Sequence, residues 1–258
     1  ELIVVDDGST DNTVEELAKF GARLRVLSTA RAGVAAARNF AATQAGGRYL
    51  AFLDSDDLWL PRKLEIQTLF LERHPEVKIC QTEETWIRNG VRVNPKLVHK
   101  NPSGDIFTRS LELCLVSPSA VMMTRDLFTS LGGFDESFPV CEDYDLWLRV
   151  ALNHPVRLIT QPLVVKRGGH ADQLSRSIWG MDRYRVAALV KLLRCNIDGE
   201  RRSAALAVLR RKVMILARGS RKRGKEPEAA EFEAVLKEFD QENLDVGSRD
   251  PQLCAGEK

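Results

Sequence analysis

The sequence predicts an α/β fold, in which a mostly parallel, Rossmann-like sheet is flanked by helices and followed by a helical C-terminal extension. In residues 1–82, short strands that are apolar throughout alternate with predicted helices, a pattern typical of a parallel sheet covered on both faces. Acidic residues directly follow two of these strands. After residue 177 the pattern is helical.

The composition is that of an ordinary globular protein, with 258 residues of which 44% are hydrophobic and 29% charged. It excludes collagen-like and disordered classes, and no apolar run approaches the roughly 18 residues that a membrane span requires. The five cysteines lack CxxC spacing, which argues against a zinc site and favours a cytoplasmic setting. Because the chain opens at Glu1 directly into an apolar run, we expect a fragment that lacks its N-terminal end.

The first half consists of β-loop-α units. Its first strand, Leu2 to Val5, ends at Asp6, and the next helix begins near Asp11, where Thr13 and Glu16 have capping-box spacing. The remaining predicted elements of this half are strands at Leu24 to Leu27, Tyr49 to Leu53 and Val77 to Gln81, and helices at Val34 to Ala45 and Pro61 to Arg73.

The second half has an α+β pattern. Asn89-Gly90 between Trp86 and Val93 is a strong hairpin signal. The other predicted elements are strands at Ser119 to Met123, Val156 to Ile159 and Leu163 to Val165, and helices at Asp126 to Leu131, Glu142 to Leu152, Ile178 to Cys195, Gly199 to Arg218 and Pro227 to Phe239. We therefore divide the chain into a nucleotide-sugar-binding half (1–82), an acceptor-binding half (83–176), a helical extension (177–245) and a tail (246–258).

The segment YLAFLDSDDLWLP places Asp54, Asp56 and Asp57 directly after a predicted buried strand. Neighbouring carboxylates raise one another's pKa unless a cation compensates them, and oxygen ligands suit Mg²⁺ or Mn²⁺. Two alternatives stay open: a solvated turn in which Asp57 caps the next helix, and the nucleophile of an aspartyl phosphatase. The second is disfavoured because that motif prefers Thr or Val where this chain has Asp57.

The segment IVVDDGSTDNT also places an acidic pair, Asp6 and Asp7, at the end of a strand. A phosphoacceptor receiver domain begins similarly, but it needs a Lys at a later strand end. The strand Val77 to Gln81 is followed by Thr82, Glu83 and Glu84 instead. Asp7 therefore better fits hydrogen bonding to a base or ribose.

Four segments, IVVDDGSTDNT, AGVAAARN, GGRYLAFLDSDDLWLPRKL and LGGFDESFPVCEDYDLWLR, occur in this order. Together they resemble family 2 glycosyltransferases of the GT-A fold, over roughly Glu1 to Arg176. The resemblance implies a nucleoside-diphosphate-sugar donor, with a UDP-sugar favoured, a divalent Mn²⁺ or Mg²⁺ ion, and a sugar or lipid-linked acceptor. It also implies that the family's first strand and helix are missing upstream of Glu1.

The resemblance assigns site residues. From the residues alone, Asp143 lies near a helix start, where the helix dipole favours its charge while Glu142 and Asp145 oppose it; an acidic helix start without a role is the alternative. The resemblance makes Asp143, with its neighbour Glu142, the catalytic base. It further implies donor contacts by Asp6, Asp7 and Arg38, and a DxD-type metal and diphosphate site at Asp54, Asp56 and Asp57.

His170, in KRGGHADQLSR, follows two glycines on a predicted loop. Similar transferases close such a loop over the diphosphate, which makes His170 a candidate metal or phosphate ligand and lets Arg167 or Arg176 neutralise the leaving group. A surface histidine is an equal alternative. Trp59 and Trp147 lie beside acidic motifs but fit apolar stripes, so we expect both to pack in the core.

Residues 191–225 carry 12 basic and 2 acidic residues, and 226–258 carry 3 basic and 10 acidic ones. The basic stretch suits peripheral contact with an anionic membrane at the inner face, or else a solvated face paired with the acidic helix that follows. Nucleic-acid binding is disfavoured because no aromatic residue interleaves the basic run.

These observations predict an inverting, metal-dependent glycosyltransferase of cell-surface glycan or glycolipid synthesis. The QxxRW motif of processive synthases is absent from the sequence, so the resemblance implies transfer of a single sugar. Two alternatives belong to other classes: a non-catalytic sugar-nucleotide-binding or scaffold protein, and a nucleotidyltransferase.

Overall fold

The computed structural model describes residues 1–94, 101–169 and 180–241. Its strands are β1 Ile3–Asp6, β2 Arg25–Ser28, β3 Tyr49–Leu50, β4 Leu58–Trp59, β5 Ile79–Arg88, β6 Val91–Val93, β7 Val121–Thr124 and β8 Arg157–Gly168. Its helices are α1 Thr13–Ala18, α2 Val34–Gln44, α3 Lys63–Arg73, α4 Phe107–Ser110, α5 Arg125–Ser130, α6 Glu142–Asn153, α7 Asp182–Arg194, α8 Gly199–Lys222 and α9 Glu226–Gln241, with a 3₁₀ turn at Gly21–Arg23.

The strands form a parallel pair and a mixed sheet. β1 and β2 pair in parallel, as predicted. In the larger sheet the order is β3-β7-β5-β8-β4, with β6 on β5, and only β5 and β8 run parallel among the described pairs. The sheet is therefore mixed rather than mostly parallel. β7 lies between β3 and β5 and runs antiparallel to both.

The longest pairing in the fold joins β5 and β8. The two short strands predicted around Pro162 are one strand, because β8 runs through the proline and its register against β5 shifts there, between Thr82 and Glu84. Proline lacks the N–H of a regular ladder and is accommodated at such irregularities. The shift keeps the second half of β8 paired with β5 up to Gly168.

Of the two local signals predicted from the sequence, a hairpin turn and a helix capping box, the structure contains the first and not the second. The hairpin at Asn89-Gly90 is confirmed, with positive φ at both residues, as a type I′ turn requires. The capping box of α1 does not form. The helix begins at Thr13 with Asn12 as its N-cap, so the Glu16 N–H donates to the Asn12 carbonyl at 3.0 Å, and Asp11 accepts hydrogen bonds from the N–H and the hydroxyl of Thr13 at 3.0 and 2.5 Å.

Helix α6 lies in the centre of the main core. Its residues from Tyr144 to Leu152 are buried, and Trp147 packs edge-on against Phe134 with ring centroids 6.2 Å apart. The predicted core role of Trp147 is confirmed. Because α6 is buried along most of its length, its first turn has a fixed position.

The helical extension packs on α6 through α7, and its basic face is paired with acidic residues. Arg221 binds Glu226 and Glu233, and Arg210 binds Asp240. These contacts support the interpretation in which α9 compensates the basic stretch, although exposed pairs contribute at most about 1 kcal/mol each. No helix in residues 1–94, 101–169 or 180–241 combines the length and apolarity that crossing a bilayer requires.

Gly133 permits a close approach that orients the chain entering α6. Its φ is +72°, and an added Cβ would lie 2.6 Å from Asn39 Oδ1, the atom that accepts the N–H of Phe134 at 2.9 Å. The carbonyl of Gly133 also accepts a hydrogen bond from Arg149 at 2.8 Å. A side chain at this position would disturb both contacts.

We therefore expect Gly133→Ala to lower the free energy of unfolding by about 1 to 3 kcal/mol, because it combines backbone strain with a clash. Urea denaturation measures this. Gly199→Ala is the matched control: nothing lies within 4 Å of the added Cβ and φ is not positive, so its stability should be unchanged or slightly higher. Equal effects of the two substitutions would contradict this account of Gly133.

Candidate active site

Arg38, on α2, bridges two carboxylates from distant segments. Its Nη2 donates to Asp54 Oδ1 at 2.5 Å and its Nη1 to Glu142 Oε1 at 2.6 Å. Only 13% of its side chain is exposed. The planar guanidinium suits this double role because its donors have a fixed fork geometry. Arg38 thereby joins the acidic run after β3 to the first turn of α6.

The bridge shifts the pKa of its members. Burial raises the pKa of Glu142, the adjacent charge of Asp143 raises it further, and Arg38 only partly offsets these effects. For Arg38, burial lowers the pKa, but the charges of Asp54 and Glu142 outweigh burial, so the pKa is raised. The guanidinium stays charged.

The carboxylates of Asp54, Asp56 and Asp57 converge, as predicted, with one oxygen of each within 4.8 Å of the others. A tight turn brings them together, in which the Asp57 N–H donates to the Asp54 carbonyl at 3.0 Å. The Asp54 N–H donates to the Ser119 hydroxyl at 3.1 Å and so fixes the start of the turn.

Asp57 is buried, with 5% exposed. Its Oδ1 accepts the N–H of Arg167 at 2.9 Å, whereas its Oδ2 is buried without a well-formed hydrogen bond among the described residues. Burial raises its pKa, against the opposing effects of Ser119, Arg167 and Lys166. A buried oxygen without a partner beside two further carboxylates fits a divalent cation.

Sequence reasoning missed Lys166. Its Nζ donates to the Ser117 hydroxyl at 2.9 Å. Burial lowers its pKa, but the charges of Glu84, Asp57, Asp54 and Asp143 raise it more, so the group stays an ammonium. The pairing of β4 with β8, which aligns Leu58 with Val165, brings this lysine to the acidic cluster, and the sequence carries no local signal for that register.

Asp6 and Asp7 organise the loop after β1. Asp7 Oδ1 accepts hydrogen bonds from the Thr29 hydroxyl at 3.2 Å and the Ala32 N–H at 2.7 Å, and its Oδ2 accepts the Gly33 N–H at 2.8 Å. Asp6 is buried and accepts the Ser9 N–H at 3.0 Å. Asp7 thus holds the segment that leads into α2, and its contact with a nucleobase or ribose stays a prediction.

Asp143 is half-buried at the first turn of α6. Its Oδ1 accepts the Tyr144 N–H at 2.7 Å, and its Oδ2 accepts the thiol of Cys114 at 3.4 Å. Cys141, the residue before α6, stands at the N-cap position with φ of +65°, a conformation that is costly for a residue other than glycine. This strained entry aims the first turn of α6 toward Arg38.

Asp145 does not share this environment, contrary to the expectation that it opposes the charge of Asp143. It is buried and binds Arg149 at 2.7 Å and Lys191 at 3.2 Å. Two residues on a helix are about 200° apart around its axis. Asp145 therefore faces the core and is neutralised there.

The remaining predicted residues are less informative. Trp59 is half-buried, donates its indole N–H to the Ser119 carbonyl at 2.7 Å, and lies 4.2 Å from the Lys63 ammonium, measured from its ring centre. It therefore supports the Ser119 segment. His170 and Arg176 lie outside the described residues.

The profile of the family described as Glycosyl transferase family 2 matches residues 1–132, which is more than half of the chain. The chain belongs to glycosyltransferase family 2. The predicted family is thereby confirmed.

Relatives in this family include a glycosyltransferase of Rickettsia felis, 33% identical over 166 residues, and an Escherichia coli protein named UDP-Glc:alpha-D-GlcNAc-diphosphoundecaprenol beta-1,3-glucosyltransferase WfgD, 35% identical over 161 residues. The alignments cover 63% and 62% of this chain, and 27% and 61% of the relatives. The chain thus spans only part of their length.

Solved structures confirm the predicted GT-A fold. Staphylococcus aureus TarS 1-349 in complex with UDP-GlcNAc has a TM-score of 0.65 at 21% identity, covering 96% of this chain and 67% of that one. The mannosyltransferase PcManGT from Pyrobaculum calidifontis, in complex with GDP-Man and Mn²⁺, has a TM-score of 0.56 at 19% identity, covering 96% and 79%. At these identities the likeness supports the fold alone.

Asp57→Asn tests the cation fit. In metal-free buffer at neutral pH we expect the variant to be more stable than the wild type by about 1 to 3 kcal/mol, because it removes a buried charge whose Oδ2 makes no well-formed hydrogen bond among the described residues. The folded-state pKa of Asp57 is raised, so the wild type loses stability as pH rises above 3.8, its usual value. Below that pH the difference should vanish. Urea denaturation across this range measures it.

Mn²⁺ should reverse the order, because an ion bound to the folded state stabilises the wild type alone. Asp126→Asn, an exposed change on α5, is the control and should behave as the wild type does. Equal stabilisation of wild type and Asp57→Asn by Mn²⁺ would remove Asp57 from the cation site.

Proposed function

We propose that this chain forms the catalytic part of an inverting, metal-dependent glycosyltransferase that moves one sugar from a nucleoside-diphosphate-sugar to an acceptor hydroxyl. The observation that carries this proposal is the Arg38 bridge. It brings Asp54, in the acidic run after β3, and Glu142, the neighbour of Asp143, to one guanidinium. A cation-binding cluster and a candidate base are thus held beside each other.

The donor side consists of Asp54, Asp56 and Asp57. These residues would hold a divalent cation, Mn²⁺ or Mg²⁺, which when bound offsets the charge of the donor diphosphate. The TarS structure contains UDP-GlcNAc, and the PcManGT structure contains GDP-Man and Mn²⁺. Together with the UDP-Glc in the name of the E. coli relative, they support a nucleotide-sugar donor, and a UDP-sugar first.

The acceptor side centres on Asp143. Its Oδ2 takes the proton of the acceptor hydroxyl, and the acceptor oxygen forms a bond to the anomeric carbon as the bond from that carbon to the diphosphate breaks. The diphosphate leaves with the electron pair. A single displacement of this kind inverts the anomeric centre. Arg38 and Lys166 are cations near this group, as the charge of Asp143 acts on both.

The alternatives account for fewer features. A scaffold protein needs no buried carboxylate oxygen without a partner. Among the described residues, Asp57 Oδ2 is such an oxygen. A nucleotidyltransferase would use the acidic cluster but not a carboxylate at the start of α6. The arrangement of both groups therefore favours sugar transfer.

A lipid-linked acceptor is proposed from the E. coli relative, whose name contains a diphosphoundecaprenol. Such an acceptor requires contact with a membrane, and the exposed Arg218, Lys222 and Lys225 of the stretch 191–225 suit a peripheral position on an anionic, cytoplasmic leaflet. We accordingly place the protein in the cytoplasm, at the inner membrane face.

The test is release of nucleoside diphosphate from a panel of UDP-, GDP-, dTDP- and CDP-sugars with a diphosphoundecaprenol-linked sugar as acceptor. We expect acceptor-dependent turnover with one nucleotide, and a loss of roughly 10²-fold or more in Asp143→Asn with donor affinity unchanged, because only the base is removed. Asp126→Asn should retain turnover. Wild-type turnover in Asp143→Asn would refute the assignment of the base, and binding without turnover for every donor would favour the scaffold alternative.

A further inference from the structure

The two oxygens of Asp143 have different partners. Oδ1 accepts the N–H of Tyr144, the next residue, at 2.7 Å, so this contact belongs to the helix start itself. Oδ2 accepts the thiol of Cys114 at 3.4 Å, and Cys114 comes from a separate segment, between α4 and β7. The position of Oδ2 therefore depends on Cys114.

The Cys114 thiol has a second acceptor at the same distance. Its sulfur is 3.4 Å from the Val116 carbonyl oxygen and 3.4 Å from Asp143 Oδ2. A thiol carries one proton and donates one hydrogen bond. It can therefore serve either acceptor but not both, and a rotation about one bond exchanges them.

The segment that carries Cys114 is fixed against α6. The Tyr144 hydroxyl donates to the Leu111 carbonyl at 2.7 Å, and both residues are buried. Because Tyr144 directly follows Asp143, this bond sets the distance between the thiol and the carboxylate. Exchange of the hydrogen bond thus needs no movement of the backbone.

The thiol keeps its proton in this environment. Burial raises the pKa of Cys114 well above its usual range, and the charge of Asp143 raises it further, against the opposing effects of Lys166 and the backbone of Val116. The other charged or titratable groups around Asp143 are Arg38, Glu142, Lys166 and Cys141. Cys114 is thus a donor throughout the reaction and not a nucleophile.

We propose that Cys114 is a positioning residue that holds Asp143 Oδ2 in place and releases it to the acceptor hydroxyl by turning its S–H to the Val116 carbonyl. This inference rests on the proposed function, in which Asp143 is the base. The acceptor proton moves to Oδ2, and the thiol proton stays on sulfur.

The experiment compares Cys114→Ala and Cys114→Ser with the wild type in the sugar-transfer assay, measuring kcat, the acceptor KM and the donor Kd. We expect Cys114→Ala to lower kcat by about tenfold, since Oδ2 is no longer positioned, with both binding constants unchanged. Cys114→Ser should recover most of this loss, because it restores a donor. Cys80→Ala, a change of the same size at a buried cysteine in β5, should keep the wild-type kcat.

Three results would overturn the inference: wild-type kcat in Cys114→Ala, equal loss in the Ala and Ser variants, or a loss in Cys80→Ala as large as that in Cys114→Ala. Melting temperatures show whether a loss of kcat in Cys114→Ala comes from unfolding. If it does, the kcat of Cys114→Ser decides whether the hydrogen-bond donor at this position matters. Asp143→Asn in the same assay separates the two levels of the account. If it is inactive while Cys114→Ala is normal, only the role of Cys114 fails; if it is active, the assignment of Asp143 as the base fails too; and if the wild type shows no turnover, the proposed function itself fails.

Discussion

The Arg38 guanidinium holds the candidate site together, because it binds both the acidic run after β3 and the first turn of α6. Removing it would leave Asp54 and Glu142 partly buried without their partner, and breaking a buried pair of this kind costs about 3 to 5 kcal/mol. The next residue of α2, Asn39, binds both the N–H and the carbonyl of Phe134 at 2.9 and 2.8 Å. Two consecutive side chains of α2 therefore place both the approach to α6 and its first turn.

The negative charge of the carboxylates in the site is only partly offset by its cations. Arg38 binds both Asp54 and Glu142, and Lys166 lies among further carboxylates. The second oxygen of Asp57, however, makes no well-formed hydrogen bond among the described residues. Such an oxygen lowers the stability of the ligand-free protein. A cation-binding site of this kind would lower the stability of the ligand-free protein at one buried carboxylate, and the bound cation would restore that stability.

Features with a local cause were predictable from the sequence. The apolar strand before Asp54, the Asn89-Gly90 hairpin and the buried stripe of α6 each follow from residues within a few positions of one another. The positions of Lys166 and Cys114 in the site, and of Asp145 in the core, were not predictable in this way. Lys166 reaches the site through the register of β4 and β8, Cys114 through the Tyr144 contact with Leu111, and Asp145 turns to Lys191 of the helical extension. Long-range pairing decides all three.

The most direct test of the account is a crystal structure of this chain with UDP and Mn²⁺, in which anomalous scattering locates the metal. The account predicts a single Mn²⁺ peak bound by the Asp54, Asp56 and Asp57 cluster, including Asp57 Oδ2, with the diphosphate on the same ion and the Arg38 bridge intact. A nucleotide bound without metal at these carboxylates, or an ion held by other residues while Asp57 Oδ2 stays unpaired, would contradict it.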